Sequence, residues 1–253
     1  MVYFIGAGPG AADLITVRGL SLLQKADCVI YAGSLVNKEL LLNCKKECAL
    51  YDSAKMTLEE VIDAIKKSSP KEKVVVRLHS GDPCIYGAIR EQMDILNSCD
   101  IPYESVPGVS SFCAAAASLG IEYTLPDVSQ SVIITRVAGR TPVPERESIR
   151  SYAMHKSTMV VFLSTSLVED LQRELLAGGY SEDTPAAVVY KASWKEEKKM
   201  TCTVATLSKT VRDAGINNSA LMIIGDCVTH KNYMKSKLYD ETFSTEFRMA
   251  KTK

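Results

Sequence analysis

The sequence has no excess charge of either sign: Lys plus Arg and Asp plus Glu both number 30. No global field therefore draws the chain to nucleic acid or an anionic membrane, so partner choice falls to local sites, where a basic cluster can still bind an acidic small molecule. No apolar run reaches membrane-spanning length. Glycines interrupt the first apolar residues before they resemble a signal segment, so nothing in the sequence directs it out of the cytoplasm. Internal repeats and low-complexity segments are also missing. The eight cysteines sit mainly within apolar runs, among them Cys28, Cys113 and Cys227, where a free thiol behaves as a small hydrophobe and suits a reducing compartment. The tightest pair, Cys44 and Cys48, has no second pair and no nearby His to complete a zinc tetrahedron, so no metal is expected. What is present is ordinary globular composition, 46% hydrophobic and 24% charged over 253 residues, enough chain for two buried cores.

The first half alternates short β-rich runs, VYFIG, CVIYAG, CALYDS, KVVVRLHS and IPYESVPG, with helix-like segments. That rhythm predicts a parallel sheet with crossover helices. In TLEEVIDAIKK, Thr57 and Glu60 have the spacing of a capping box, and Leu58, Val61, Ile62 and Ile65 follow at helical intervals. Gly120 and Pro126 then punctuate the chain before a second series of strand-like runs, SVIITRV, TMVVFLST, TPAAVVYKAS, MTCTVATL and SALMIIGDCV. The short polar stretch between VVYKASW and MTCTV suits a hairpin, hence a mixed sheet. The expected organisation is an α/β chain of two α/β domains: 1–124 with a mainly parallel sheet, 125–231 with a mixed sheet, and a polar, loosely ordered tail over 232–253.

Gly6, Gly8 and Ala11 match the dinucleotide fingerprint G-x-G-x-x-G/A between a strand and a helix. That fingerprint also needs an acidic residue at the exit of the second strand. Asp27 instead precedes CVIYAG, and the exit reads Tyr31, Ala32, Gly33. Pro9 removes a backbone donor from the loop, and no Lys follows the glycines, which excludes a Lys-Ser/Thr phosphate loop. A cleft-lining turn, an NAD site and a purely structural turn all remain open on these residues.

Other strand ends carry chemistry. In RLHSGDPCIYG, Gly81 permits close backbone approach and Asp82 offers an acceptor, although a tight turn capped by Asp reads the same way. In SVPGVSSFCAAAASLG, Ser110 or Ser111 caps a small-residue helix after Pro107-Gly108. Arg136, Arg140 and Arg146 form a loop suited to carboxylates, with Glu145 and Glu147 beside them as for an ordinary solvated loop. His79 ends its strand and is either an acid–base group or simply a hydrogen-bonded His. No nucleophile–His–Asp set is identifiable.

Taken in order, FIGAGPGAADLIT, RLHSGDPCIYG, VPGVSSF, TRVAGRTPVPE, MVVFLST and TPAAVVYKASW resemble the tetrapyrrole methyltransferases that use S-adenosylmethionine. The resemblance runs to about Val228 and leaves out the tail. It implies two α/β domains with the cofactor and active site in the cleft between them, an anionic tetrapyrrole substrate and a homodimer. It also implies that the first glycine loop borders the active site instead of cradling a dinucleotide, with Pro9 close to the cofactor. Carried over by motif, the cofactor contacts fall on Gly81, Asp82, Ile85, Tyr86, Ser110, Ser111, Phe162, Leu163 and Ala187, with Leu221 and Met222 on the last strand. Arg136 and Arg140 are expected to clamp substrate carboxylates, with Arg18 as a further candidate. The nearest rivals are family members acting on another tetrapyrrole position or precursor, such as uroporphyrinogen III, precorrin-2 or precorrin-3; beyond them stand an NAD-dependent oxidoreductase, resting on the first loop, and a noncatalytic tetrapyrrole-binding protein.

Overall fold

The structure is a computed structural model that describes residues 1–69, 73–229 and 233–251. Its contacts divide the chain into two units, Met1–Ala114 with Lys191–Glu197, and Ala115–Tyr190 with Lys198–Lys253. The expected boundary after residue 124 is therefore displaced. Gly120, at φ +66°, ends a helix, and Ile121 N donates to Ala116 O at 3.0 Å across that terminus. Its punctuation marks a helix end and not a change of core.

In the first unit, β1 (Val2–Gly6), β2 (Cys28–Tyr31), β3 (Ala49–Asp52), β4 (Val75–His79) and β5 (Tyr103–Val106) form a sheet in the order β3-β2-β4-β1-β5. Every pairing is parallel. The crossovers include α1 (Val17–Lys25), α2 (Leu58–Ser68) and α3 (Arg90–Ser98). Phe4, Ile30 and Val75 pack with Val61, Ile62, Ile65 and Leu96 on one face, while Ile5, Val29, Val76 and Leu78 pack with Leu23 and Leu40 on the other. Burial on both faces is why the inner strands β1, β2 and β4 read as nearly continuous apolar runs, unlike the edge strands β3 and β5. Thr57 starts α2 with a full capping box: its N–H donates to Glu60 Oε2 at 2.7 Å, and Glu60 N donates back to Thr57 Oγ1 at 3.3 Å. Beyond β5 the chain turns into α4 (Ser111–Leu119), within which the division between units falls.

The second unit has β6 (Val132–Arg136), β7 (Thr158–Phe162), β8 (Pro185–Tyr190), β9 (Lys198–Thr203) and β10 (Ala220–Ile224) in the order β6-β7-β10-β8-β9. β6 and β7 are parallel, and the other pairs are antiparallel, including the β8–β9 hairpin. Helices α5 (Ile149–Ala153), α6 (Val168–Ala177) and α7 (Leu207–Asp213) cover one face, where Met159, Val161, Ala186, Val188, Met222 and Ile224 meet Leu171, Leu175, Leu207 and Val211.

His230 lies outside the described residues. The tail beyond it folds back on itself through Arg248, whose Nη2 donates to the carbonyls of Leu238 and Asp240 at 3.0 and 2.6 Å. No described helix is long and apolar enough to cross a membrane. All eight cysteines are described and none forms a disulfide; Cys28 and Cys227 are buried as small hydrophobes, but Cys113 is exposed despite its apolar neighbours. It stands on the outward side of α4, a position that the run FCAAAASLG alone does not distinguish.

Candidate active site

Three adjacent strands of the first sheet, β4, β1 and β5, release their loops at the same carboxyl edge, where open α/β sheets place ligands. The loops meet backbone to backbone. Gly8 N donates to Gly81 O at 3.2 Å and Gly81 N to Gly8 O at 2.8 Å, an isolated antiparallel bridge. A Cβ on Gly6 would lie 2.5 Å from both Gly108 Cα and Gly81 O, and one on Gly108 would lie 2.2 Å from Gly81 O. Gly6 and Gly108 leave room for the three loops to touch, and Gly81 supplies the φ of +61° that its turn needs.

These contacts leave the first loop little to offer a phosphate. Besides the bridge through Gly8, Ala7 N donates to His79 O at 2.7 Å, Gly10 O accepts from Asn37 Nδ2 at 2.9 Å, and Ala11 N donates to Ser193 Oγ at 3.0 Å. The buried Pro9 gives its carbonyl to Trp194 Nε1 at 2.9 Å, and the indole lies so close over Gly10 that a Cβ there would be 2.1 Å from the ring. Sequence reasoning missed this segment, although a lone Trp in a polar connection was a visible signal. Asp27, the nearest acidic residue for a dinucleotide, sits at the opposite end of β2 and accepts from Val74 N at 2.8 Å and Lys45 Nζ at 2.9 Å. A loop in which the N–H groups of Ala7, Gly8 and Ala11 are already engaged, with no ribose carboxylate, does not fit a dinucleotide cradle.

Asp82 joins two of the loops. Its Oδ1 accepts from Cys84 N at 2.8 Å and its Oδ2 from Gly108 N at 2.9 Å. Burial pushes this carboxyl up, but the hydrogen bonds from Cys84 and Gly108 outweigh it and hold Asp82 below the usual range. It is ionised at neutral pH, with a lone pair on each oxygen still directed elsewhere. Ile85 and Tyr86 follow in the same turn; Tyr86 is 46% exposed with φ +56°. Ser110 is buried, and its carbonyl accepts from Cys113 N at 3.0 Å, which makes it the N-cap position of α4, with Ser111 the first helical residue. Gly81, Ser110 and Ser111 are brought together: a Cβ on Gly81 would lie 3.6 Å from both Ser110 Cα and Ser111 N. His79 is buried and its Nε2 has no hydrogen-bond partner; burial, then the charge of Arg77, pulls its pKa down to about 3. It is neutral at pH 7 and unsuited to donating a proton as an acid.

In the second unit, Arg136 and Phe162 are register partners at the carboxyl ends of β6 and β7. Ser164 Oγ ties the two ends, accepting from Val137 N at 2.8 Å and donating to Phe162 O at 2.6 Å. Leu163 projects from this edge, 68% exposed at φ +52°. A left-handed backbone at a large exposed apolar residue is strained, and such positions gather at ligand sites. Ala187 and Leu221 are buried and alternate with the helix-packed residues of their strands, so they lie on the sheet face away from α5, α6 and α7.

Met222 differs from its expected role. Its side chain belongs to the helix-packed core, and its backbone pairs with both Val161 and Val188. One residue of phase separates it from Leu221, and in a strand buried on both faces the sequence does not reveal that phase.

Arg136 is also committed more fully than expected, donating from Nη1 to Thr141 O at 3.0 Å and from Nη2 to Pro142 O at 2.8 Å. It organises the loop that carries Arg140, which is exposed and has no ion-pair partner among the described residues. Arg18 lies in the first unit, 3.8 Å from Glu104 Oε1. With Tyr3, Val17, Ser21, Leu22 and Glu104 it lines a surface hollow.

Residues 1–208 match the family model described as Tetrapyrrole (Corrin/Porphyrin) Methylases. The chain belongs to this family. It is therefore a methyltransferase, and its two α/β units are those of its structural relatives. A cobalt-precorrin-4 C(11)-methyltransferase from Methanocaldococcus jannaschii is 51% identical over 252 residues, covering 100% of this chain and 97% of that protein. The similarity thus extends through the tail that the motifs left out. Among solved structures, a cobalt precorrin-4 methyltransferase of cobalamin biosynthesis superposes with a TM-score of 0.88 at 47% identity, covering 90% of this methylase and 95% of that chain. A uroporphyrin-III C-methyltransferase from Thermus thermophilus, complexed with S-adenosyl homocysteine, gives 0.75 at 25% identity, covering 90% and 98%.

Proposed function

We propose that this methylase transfers the methyl group of S-adenosylmethionine to C-11 of cobalt-precorrin-4, or of precorrin-4 itself, in cobalamin biosynthesis. The observation that carries the reading is the end-to-end similarity to a protein named for that reaction. The residues of the first unit fit such a cofactor. At one sheet edge they offer an ionised carboxylate for an ammonium or hydroxyl, an exposed ring at Tyr86, and backbone that glycine alone lets a ligand approach. Pro9, Gly81, Asp82, Ile85, Tyr86, Ser110 and Ser111 would hold it there. In the second unit, Phe162, Leu163, Ala187 and Leu221 are its proposed contacts, and Met222 is withdrawn.

When bound, S-adenosylmethionine supplies an already activated sulfonium methyl. The protein then needs no strong base, in keeping with a neutral, buried His79. Its task is orientation, which supplies about 7–11 kcal/mol of barrier lowering in well-aligned reactions. Arg140 is the proposed partner for substrate carboxylates, held in place by the loop that Arg136 organises. Arg18 is a weaker candidate, since Glu104 already faces it. The free thiols suit cytoplasmic work, and a homodimer is the proposed assembly.

Incubation with cobalt-precorrin-4 and methyl-carbon-13 S-adenosylmethionine, followed by NMR of the product, tests the reading. One new label at C-11 supports it. Label at another carbon keeps the family and overturns the position, and tight S-adenosylhomocysteine binding without label overturns the substrate.

A further inference from the structure

Arg77 lies mid-strand in β4 and is only 7% exposed. Its Nε donates to Gln92 Oε1 at 3.2 Å and its Nη1 to Ile30 O at 3.1 Å. No carboxylate pairs with it among the described residues, and burial pulls its pKa down to about 10. A buried guanidinium held by an amide and a carbonyl is a poor way to stabilise a core, because desolvating the charge costs more than apolar side chains of similar volume would. It does fix a direction. Guanidinium N–H groups can only donate, so Gln92 must turn its oxygen to Arg77 and its NH₂ the other way. That NH₂ donates to Ala88 O at 3.0 Å.

Ala88 ends an unusual turn. Both Ala88, at φ +48°, and Tyr86, at φ +56°, occupy the left-handed region. Between them, a Cβ on Gly87 would lie 2.1 Å from Pro83 O. Two non-glycine residues in that region are unfavourable without outside support. The amino-terminal end of the turn is held by Asp82 through Cys84 N at 2.8 Å, and the Gln92 amide holds the carboxyl-terminal end.

We propose that Gln92, oriented by Arg77, is a positioning residue that locks the 82–88 turn in the conformation presenting Ile85 and Tyr86 to S-adenosylmethionine. This rests on the cofactor reading above. Gln92 touches neither reactant; it acts through the Ala88 carbonyl.

Gln92→Glu separates this role from a structural one. The carboxylate still accepts from Arg77, as an ion pair, but it sets an oxygen against Ala88 O where a donor stood. In the full-length protein the thermal midpoint should stay near that of wild type, while the S-adenosylhomocysteine Kd rises about tenfold, the size of one lost, oriented hydrogen bond. The tetrapyrrole KM should not move. The double variant Arg77→Met/Gln92→Met, which removes the donor to Ala88 O without leaving the buried guanidinium short of its Gln92 acceptor, should raise the same Kd and serves if the Glu variant does not fold. Wild-type protein that fails to bind S-adenosylhomocysteine overturns the cofactor reading, and this inference with it. Wild type that binds, with variants that bind equally well or lose only thermal stability, overturns the positioning role alone.

Discussion

Lowering the pH from 7 to 5 should remove about 2 kcal/mol of stability through His79 alone. The imidazole is 4% exposed at the end of β4, and burial together with Arg77 brings its pKa to about 3. The unfolded chain regains the ordinary value of about 6.5. Between these values the unfolded state binds a proton that the native state refuses, so stability is complete above about pH 6.5 and falls by about 1.36 kcal/mol per unit below it. Integrating from 7 to 5 gives the figure above. Asp27, held low by Val74 N and Lys45, and Asp82, held low against burial by Cys84 and Gly108, have the opposite proton chemistry. Their stabilisation is present above about pH 4 and is lost only as the pH falls through their depressed values, outside this window. Urea unfolding of wild type and His79→Gln at pH 7 and pH 5 isolates the effect as a difference of differences, with wild type losing the extra amount of about 2 kcal/mol. The NMR resonance of the His79 ring should also remain that of the neutral form at pH 5. Equal pH dependence in the two proteins, or a ring titrating with a midpoint above pH 5, would refute the reasoning. His79→Gln should retain methyl transfer, because a neutral buried imidazole is not the acid or base of the reaction.

Further outcomes follow from the same contacts. Gly108→Ala sets a Cβ 2.2 Å from Gly81 O and 2.7 Å from Gly6 Cα, backbone that cannot yield, and should cost more than about 4 kcal/mol or abolish soluble expression. Gly120→Ala, at φ +66° with nothing within 4 Å, should cost only about 1–2 kcal/mol by thermal unfolding. Trp194→Phe removes the 2.9 Å bond to Pro9 O and should cost about 1 kcal/mol. In the wild type, emission of this single Trp should respond to S-adenosylhomocysteine and not to NADH. Arg136→Ala, which strips donors from Thr141 O and Pro142 O, should lower the thermal midpoint, whereas Arg140→Ala should leave it unchanged and raise the tetrapyrrole KM several-fold. A fall in the midpoint for Arg140→Ala with an unchanged KM would remove Arg140 from substrate binding.

Much of the candidate site's layout was legible because it lies where strands end. The runs VYFIG, KVVVRLHS and IPYESVPG became β1, β4 and β5, and the residues picked just beyond them, Gly81, Asp82 and Ser110, do meet at one edge. The partners that arrive from far along the chain were not legible. Trp194 and Ser193 reach the first loop from 185 and 182 residues away, a distance at which local pattern carries no information about contact. Arg77 in VVVRLHS reads as an interruption of an apolar run, and nothing local shows that Gln92 stands opposite it.

By itself, the sequence determined the α/β class, the strands and capped helices, and the glycines at the strand exits, because each is set by the periodicity, capping chemistry or turn chemistry of neighbouring residues. Tertiary structure alone decided which backbone groups of the first loop are already engaged, that Arg136 serves its own loop while Arg140 stands free, and that Leu221 and Met222 face opposite ways. Those outcomes depend on which surfaces meet. A strand buried on both faces, or an arginine flanked by carbonyls in a loop, has the same local pattern in either arrangement.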